Sequence, residues 1–135
     1  MDRAPLPAEL LLLALTLLLA IVNILAAAHV RTRQYGTKWN MGARDEELPP
    51  LNPLAGRLLR AQANLYETLP IYAALVLACA VAGRLGWASL VGAHLYFWAR
   101  LLYLPLYAAG VPVIRTLVWM AGLVGLGFLF WALLA

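Results

Sequence analysis

The sequence predicts an all-α fold: an integral membrane four-helix up-down bundle. Three observations carry this expectation. Of the 135 residues, 64% are hydrophobic and 12% charged, and the mean hydropathy is +0.82. A soluble domain of this size leaves much of its chain in water and cannot hide so much apolar surface. The same composition excludes a disordered chain. Next, four apolar stretches each approach the length of about 20 residues that a bilayer-crossing helix needs. Finally, two of the three connections are short, and short connections join antiparallel neighbours.

The first span is expected at 8–29, with no charge between residues 10 and 28. That run is long for the apolar core of a secretory leader, and alanines 26–28 lead straight into basic residues, so it reads as a retained span. A long loop follows at about 30–55, broken by Gly36, Gly42, Pro49, Pro50 and Pro53. The second span, 56–82, is apolar except at its start. A tight turn around Gly83 and Gly86 leads to the third span, 87–108, whose one formal charge is Arg100. A second tight turn at Gly110 leads to the fourth, 112–134, with Pro112 suited to its first turn and Arg115 its one charge. Residues 1–135 thus form one membrane domain without internal repeat.

Lysine and arginine bias sets the orientation. Arg31, Arg33, Lys38 and Arg44 lie in the long loop, with Arg57 and Arg60 at the mouth of the second span. The long loop and the third connection are expected to face the cytoplasm, and both termini the opposite side. The net charge of +4 is scattered through apolar sequence or set beside acids, which does not make a nucleic-acid footprint. A single cysteine, Cys79, excludes a disulfide framework and any multi-cysteine metal site. No metal-ligand spacing, nucleophile triad or phosphate-cradling glycine loop is present.

An ionisable residue inside a span costs about 3 kcal/mol on insertion scales and usually faces a partner or a wet cavity. Arg57, Arg60, Asn64 and Glu67 are spaced three, four and three apart, on one face of the second span. That face runs about 15 Å down the helix. Arg100, Tyr103 and Tyr107 share a face of the third span, and Arg115 with Thr116 lies near the start of the fourth. Three helices therefore bring polar groups to the same half of the bilayer. A cationic, partly hydrated pocket is expected there, suited to an anionic hydrophilic ligand bearing carboxylates and an amine. Arginine forks bind carboxylates in bidentate fashion. A thiol beside Arg115 would have its pKa lowered and its thiolate favoured.

Several of these residues have a plainer reading. Arg57 and Arg115 can snorkel to the headgroups, Tyr107 can serve as an interfacial tyrosine, Asn64 can hold a neighbouring helix, and Glu67 can pair with Arg100. Asn23 reads as a packing hydrogen bond, His94 as structural and Cys79 as inert.

Three segments resemble the MAPEG family, the membrane-associated proteins in eicosanoid and glutathione metabolism. They are Arg57-Leu-Leu-Arg60-Ala-Gln-Ala-Asn64-Leu-Tyr-Glu67-Thr-Leu-Pro70, Arg100-Leu-Leu-Tyr103-Leu-Pro-Leu-Tyr107, and Gly110-Val-Pro-Val-Ile-Arg115-Thr116. The preceding loop, residues 40–50, is similar to that of bacterial members, and the likeness spans nearly the whole chain. The resemblance implies a homotrimer with sites between subunits, and an inner or plasma membrane location if the source is bacterial. It further implies glutathione as cosubstrate, held by Arg57, Arg60, Asn64, Glu67, Arg100, Tyr103, Tyr107 and Thr116, with Arg115 as the catalytic group beside the thiol. Trp119 stands where some relatives carry a tyrosine contact.

The expected function is a glutathione-dependent membrane transferase or peroxidase acting on lipophilic electrophiles or lipid hydroperoxides. The alternative is a non-catalytic lipid-binding or scaffold member of the same fold. A small four-span exporter fits less well, because its acid is expected in the first span and the pocket here is cationic.

Overall fold

A computed structural model describes residues 3–135 and contains five helices, with no strand among the described residues. They are α1 (Ala8–Tyr35), α2 (Thr37–Met41), α3 (Pro53–Val81), α4 (Trp87–Ala109) and α5 (Val113–Leu134). Three of them, α1, α3 and α5, are long and apolar enough to cross a membrane. Helix α4 has the length, but His94, Arg100 and three tyrosines lower its hydropathy.

Helix α1 does not stop at the expected boundary of residue 29. Apolarity marks where a helix leaves hydrocarbon, whereas its backbone hydrogen bonding continues to Tyr35. Gly36, at φ +95°, ends it, and the Gly36 N–H donates to Thr32 O at 2.7 Å. The expected loop also contains structure. In α2, Trp39 packs edge-on against Tyr35 with ring centroids 4.9 Å apart, and the guanidinium carbons of Arg31 and Arg44 lie 5.5 and 4.7 Å from its ring. Gln34 holds the returning chain by donating to Pro50 O (3.0 Å) and accepting from Asn52 N–H (2.7 Å). Helix α3 begins at Pro53 and not at 56, because the Asn52 side chain caps it. Its Oδ1 accepts from Ala55 N–H at 2.8 Å, and proline at the first helical position needs no donor.

The short connections behave as the sequence predicts. Gly83 turns at φ +66° and Gly110 at φ +76°, left-handed values that favour glycine. The paired residues show that each long helix runs antiparallel to the next. Asn23, with its amide nitrogen turned toward Leu58 O, links α1 to the start of α3. Tyr72 of α3 donates to Ala93 O of α4, and Gly92 of α4 abuts Gly125 of α5. Helices α3 and α4 occupy the centre. Helices α1 and α5 each pack on both of them, and their backbones do not approach one another closely.

The apolar core is built from Leu12, Leu13, Leu75, Val76, Phe97, Leu126 and Leu129 around Tyr72 and Tyr96, whose rings stack at 4.1 Å. Glu9, the one acid at the start of the first span, is buried. The Ser89 hydroxyl of α4 donates to its Oε1 at 2.6 Å, tying α1 to α4 at the end opposite Arg57, Arg100 and Arg115.

Candidate functional site

The polar residues of α3 occupy one stripe, and the burial of each follows its angular position. At about 100° per residue, Glu67 and Arg60 lie within about 20° of each other, Asn64 and Arg57 some 40–60° further round, and Thr68 beyond them. Glu67 and Arg60 are exposed, Asn64 and Arg57 half-buried, and Thr68 buried. The stripe therefore straddles the line between the outer face of α3 and its contact with α4.

On the inner side stands Arg100, only 4% exposed. Its Nη1 donates to Asn64 Oδ1 at 2.7 Å, and its Nη2 donates to Thr68 Oγ1 at 2.7 Å and more weakly to Asn64 O at 3.4 Å. The Thr68 hydroxyl is in turn 2.8 Å from Tyr96 OH. The guanidinium carbon lies 5.1 Å from the Tyr103 ring and 5.5 Å from the Tyr96 ring. These hydrogen-bond partners are all uncharged, and the exposed Glu67 is not among them. Neutral donor–acceptor pairs and ring faces share the work of keeping a cation inside the helices.

From Arg100 the polar groups climb toward the arginine-rich end. The Tyr103 and Tyr107 rings meet edge-to-face at 5.5 Å, and the Arg115 guanidinium of α5 sits 4.4 Å from the Tyr107 ring. Arg57 closes this end by donating to Ala108 O at 3.2 Å, and its head packs against Gly110. Arg60 folds back over Gly56 on its own helix. The exposed Thr116 hydroxyl donates to Pro112 O at 3.4 Å within its own turn. The structure thus brings Asn64, Arg100, Tyr103, Tyr107 and Arg115 into one ladder. Arg60, Glu67 and Thr116 stay outside it, facing away from the packed helices.

Thr68 and Tyr96 were not singled out from sequence. Thr68 continues the polar stripe one residue past Glu67, and that spacing was the available signal. Three buried side-chain donors, Arg31 Nε, Trp39 Nε1 and Trp119 Nε1, have no acceptor among the described residues. All three lie in the same half as the ladder: at the end of α1, in α2, and one turn beyond Arg115 in α5. The void beside Arg100 and Tyr103, bordered by Leu19, Asn23 and Leu65, is about 10 Å³. That is room for about one water and not for a tripeptide. No group of three or more His, Cys, Asp or Glu side chains comes together among the described residues.

Comparison with known families adds one finding. The MAPEG family model matches residues 12–135. The chain belongs to the MAPEG family. The match covers every helix from the first turns of α1 to the end of α5, including the whole arginine ladder. A search of curated proteins and a search of solved structures return no match. Family membership makes this an integral membrane protein of the group associated with glutathione and eicosanoid chemistry.

Proposed function

We propose that this MAPEG protein is a glutathione-dependent transferase or peroxidase acting on lipophilic electrophiles or lipid hydroperoxides. One observation carries the reading: within one half of the helices, cations and donors outnumber acceptors. Arg57 and Arg115 bond or stack only with neutral groups, and among the described residues three buried N–H donors stand unpaired. An anionic ligand supplies what they lack, and glutathione with its two carboxylates is such a ligand.

On this reading Arg60 and Asn64 take carboxylate or carbonyl oxygens and Glu67 takes the amine. Tyr103 and Tyr107 line the approach, with Arg57 and Thr116 at the rim. Arg115 lies against the thiol and favours its thiolate, the form that attacks an electrophile. The electrophile enters from the lipid side. No metal is required.

All four long helices cross the bilayer in this proposal, as an up-down bundle with both termini on the non-cytoplasmic side. Helix α4 crosses despite Arg100, because that charge is buried and both of its terminal nitrogens are hydrogen-bonded inside. The exposed Arg60 and Glu67 cannot face hydrocarbon cheaply. A homotrimer covers them with a neighbouring copy and makes the cleft that a void of about 10 Å³ does not offer. The non-catalytic alternative rests on a different feature. An apolar groove of about 480 Å³ between α4 and α5, bordered by Leu90, His94, Trp98 and Val118, suits a lipid chain.

Thermal unfolding of the detergent-purified protein across a glutathione titration tests the proposal. A ligand that binds only the folded state at a hundredfold excess over its Kd adds about 2.7 kcal/mol. The expected result is a saturable rise in midpoint that Arg60→Ala abolishes. A flat response at millimolar glutathione, with a rise on adding fatty acid, would move the assignment to the lipid-binding alternative.

A further inference from the structure

Arginine carries donors and no acceptor. The side-chain atom of Asn64 that faces Arg100 must therefore be its oxygen. The bond at 2.7 Å fixes the amide, so both Nδ2 hydrogens turn away from Arg100. Among the described residues Nδ2 makes no hydrogen bond, and Asn64 is half-buried at the edge of the stripe that Arg60 and Glu67 continue outward. Arg100 is itself held in place. Thr68 Oγ1 takes its second nitrogen, Tyr96 OH backs Thr68, and the rings of Tyr96 and Tyr103 flank the guanidinium. Only 4% of Arg100 is exposed, so little of it is open to a ligand.

From this geometry we propose that Arg100, Thr68 and Tyr96 are positioning residues, which act on the ligand through Asn64. The clamp locks Asn64 as a donor. The ligand group opposite Asn64 is then an acceptor, a carboxylate or carbonyl oxygen, and an amine or ammonium is rejected at that position. Without the clamp the amide is free to rotate and presents oxygen as readily as nitrogen. The choice of ligand atom would then be lost even though Asn64 remains. This inference rests on the glutathione reading for the identity of the ligand, but the clamp itself does not.

The test is a double-mutant cycle on glutathione affinity in the full-length detergent-solubilised protein, with variants whose ligand-free unfolding midpoint stays near wild type. Arg100→Lys keeps the charge and loses the fork that reaches Asn64 and Thr68 together. A hydrogen bond to a charged group is worth about 1.5–3 kcal/mol, so a loosened donor weakens binding about tenfold or more. If Arg100 acts through Asn64, Arg100→Lys costs nothing further in an Asn64→Ala background. Additive losses would show that Arg100 touches the ligand directly and would overturn the proposal.

Should Arg100→Lys fail to fold, Thr68→Val and Thr68→Ser carry the same test. The first weakens binding and the second restores it. Wild-type affinity in Thr68→Val would also overturn the proposal. A measurement without ligand separates failure of the clamp from failure of the glutathione reading. In protein labelled with ¹⁵N-asparagine, the Asn64 side-chain amide resonances, assigned by their loss in Asn64→Ala, shift in Thr68→Val and keep their wild-type position in Thr68→Ser. Unmoved resonances in Thr68→Val mean that no clamp exists, whatever glutathione does.

Discussion

Replacing Gly92 by alanine tests the packing that fixes α5, and Arg115 with it, against α4. A Cβ built on Gly92 meets Gly125 O at 2.6 Å, Leu129 Cγ at 2.9 Å and Leu129 N at 3.0 Å. The first of these falls about 1 Å short of ordinary contact. Two of the three opposing atoms are backbone, which cannot swing aside, so the helices must part. Overpacking of this kind costs about 1–3 kcal/mol. Alanine recovers up to about 1 kcal/mol in helix propensity, leaving a net loss of up to about 2 kcal/mol against wild type and the full overpacking cost against an alanine placed in open space. Gly127 is the internal control: it lies on the same helix as Gly125, and a Cβ there meets nothing within 4 Å. Gly127→Ala should match wild type or exceed it by up to about 1 kcal/mol. The assay is equilibrium unfolding of the three proteins in one detergent. If Gly92→Ala is as stable as Gly127→Ala, the close approach of α4 and α5 is wrong, and so is the register that sets Arg115 over Tyr107.

Gly110→Ala places a side chain at φ +76° and a Cβ 3.1 Å from the Arg57 Cζ. The left-handed backbone alone costs about 1–2 kcal/mol, to be read as a lower unfolding midpoint than wild type, and a midpoint unchanged from wild type would remove Gly110 as the stop of α4. On the proposed mechanism Arg115→Ala lowers glutathione-dependent turnover of a model electrophile by about a hundredfold, as loss of a charge-stabilising group does elsewhere, with a much smaller change in glutathione affinity. Undiminished turnover in that variant would exclude Arg115 from the chemistry.

The four long helices and their antiparallel order were legible because long apolar runs favour helix, and Gly83 and Gly110 mark turns that little but glycine makes cheaply. Helix ends were less legible. Hydropathy falls near residue 29, but the backbone has no reason to unwind there. At the next boundary, Asn52 and Pro53 form a cap whose signal outweighs the distance to the apolar run. The burial of Glu9 was not legible, because the partner that meets its charge, Ser89, comes from a helix 80 residues further along the chain. The polar half of the molecule was visible as spacing on three helices. Spacing gives the face and not its direction, so it left open whether Asn64 or Glu67 meets the neighbouring helix. Packing separates them, and it makes the neutral Asn64 and Thr68, not the acid Glu67, the partners of Arg100.

That separation bears on how one helix can serve two purposes. A residue fully on the inner face of α3 would pack well and meet no ligand. One fully on the outer face would meet a ligand with no fixed orientation. Asn64 stands between the two, half-buried, with its oxygen engaged inside and its nitrogen unengaged. Its neighbours Arg60 and Glu67 are exposed and take their geometry from whatever covers them. The fixed polarity of this stripe therefore resides in Asn64, and the adaptable part in Arg60 and Glu67. For a thiol cosubstrate this is a workable division: the orientation that brings the sulfur to Arg115 is set from the rigid interior, while the flexible charges close over the ends of the tripeptide. A lipid chain needs no such fixed donor. If Arg100 orients Asn64 as proposed, the cost of burying a guanidinium to fix one amide weighs toward the thiol-dependent reading and against the lipid-binding one.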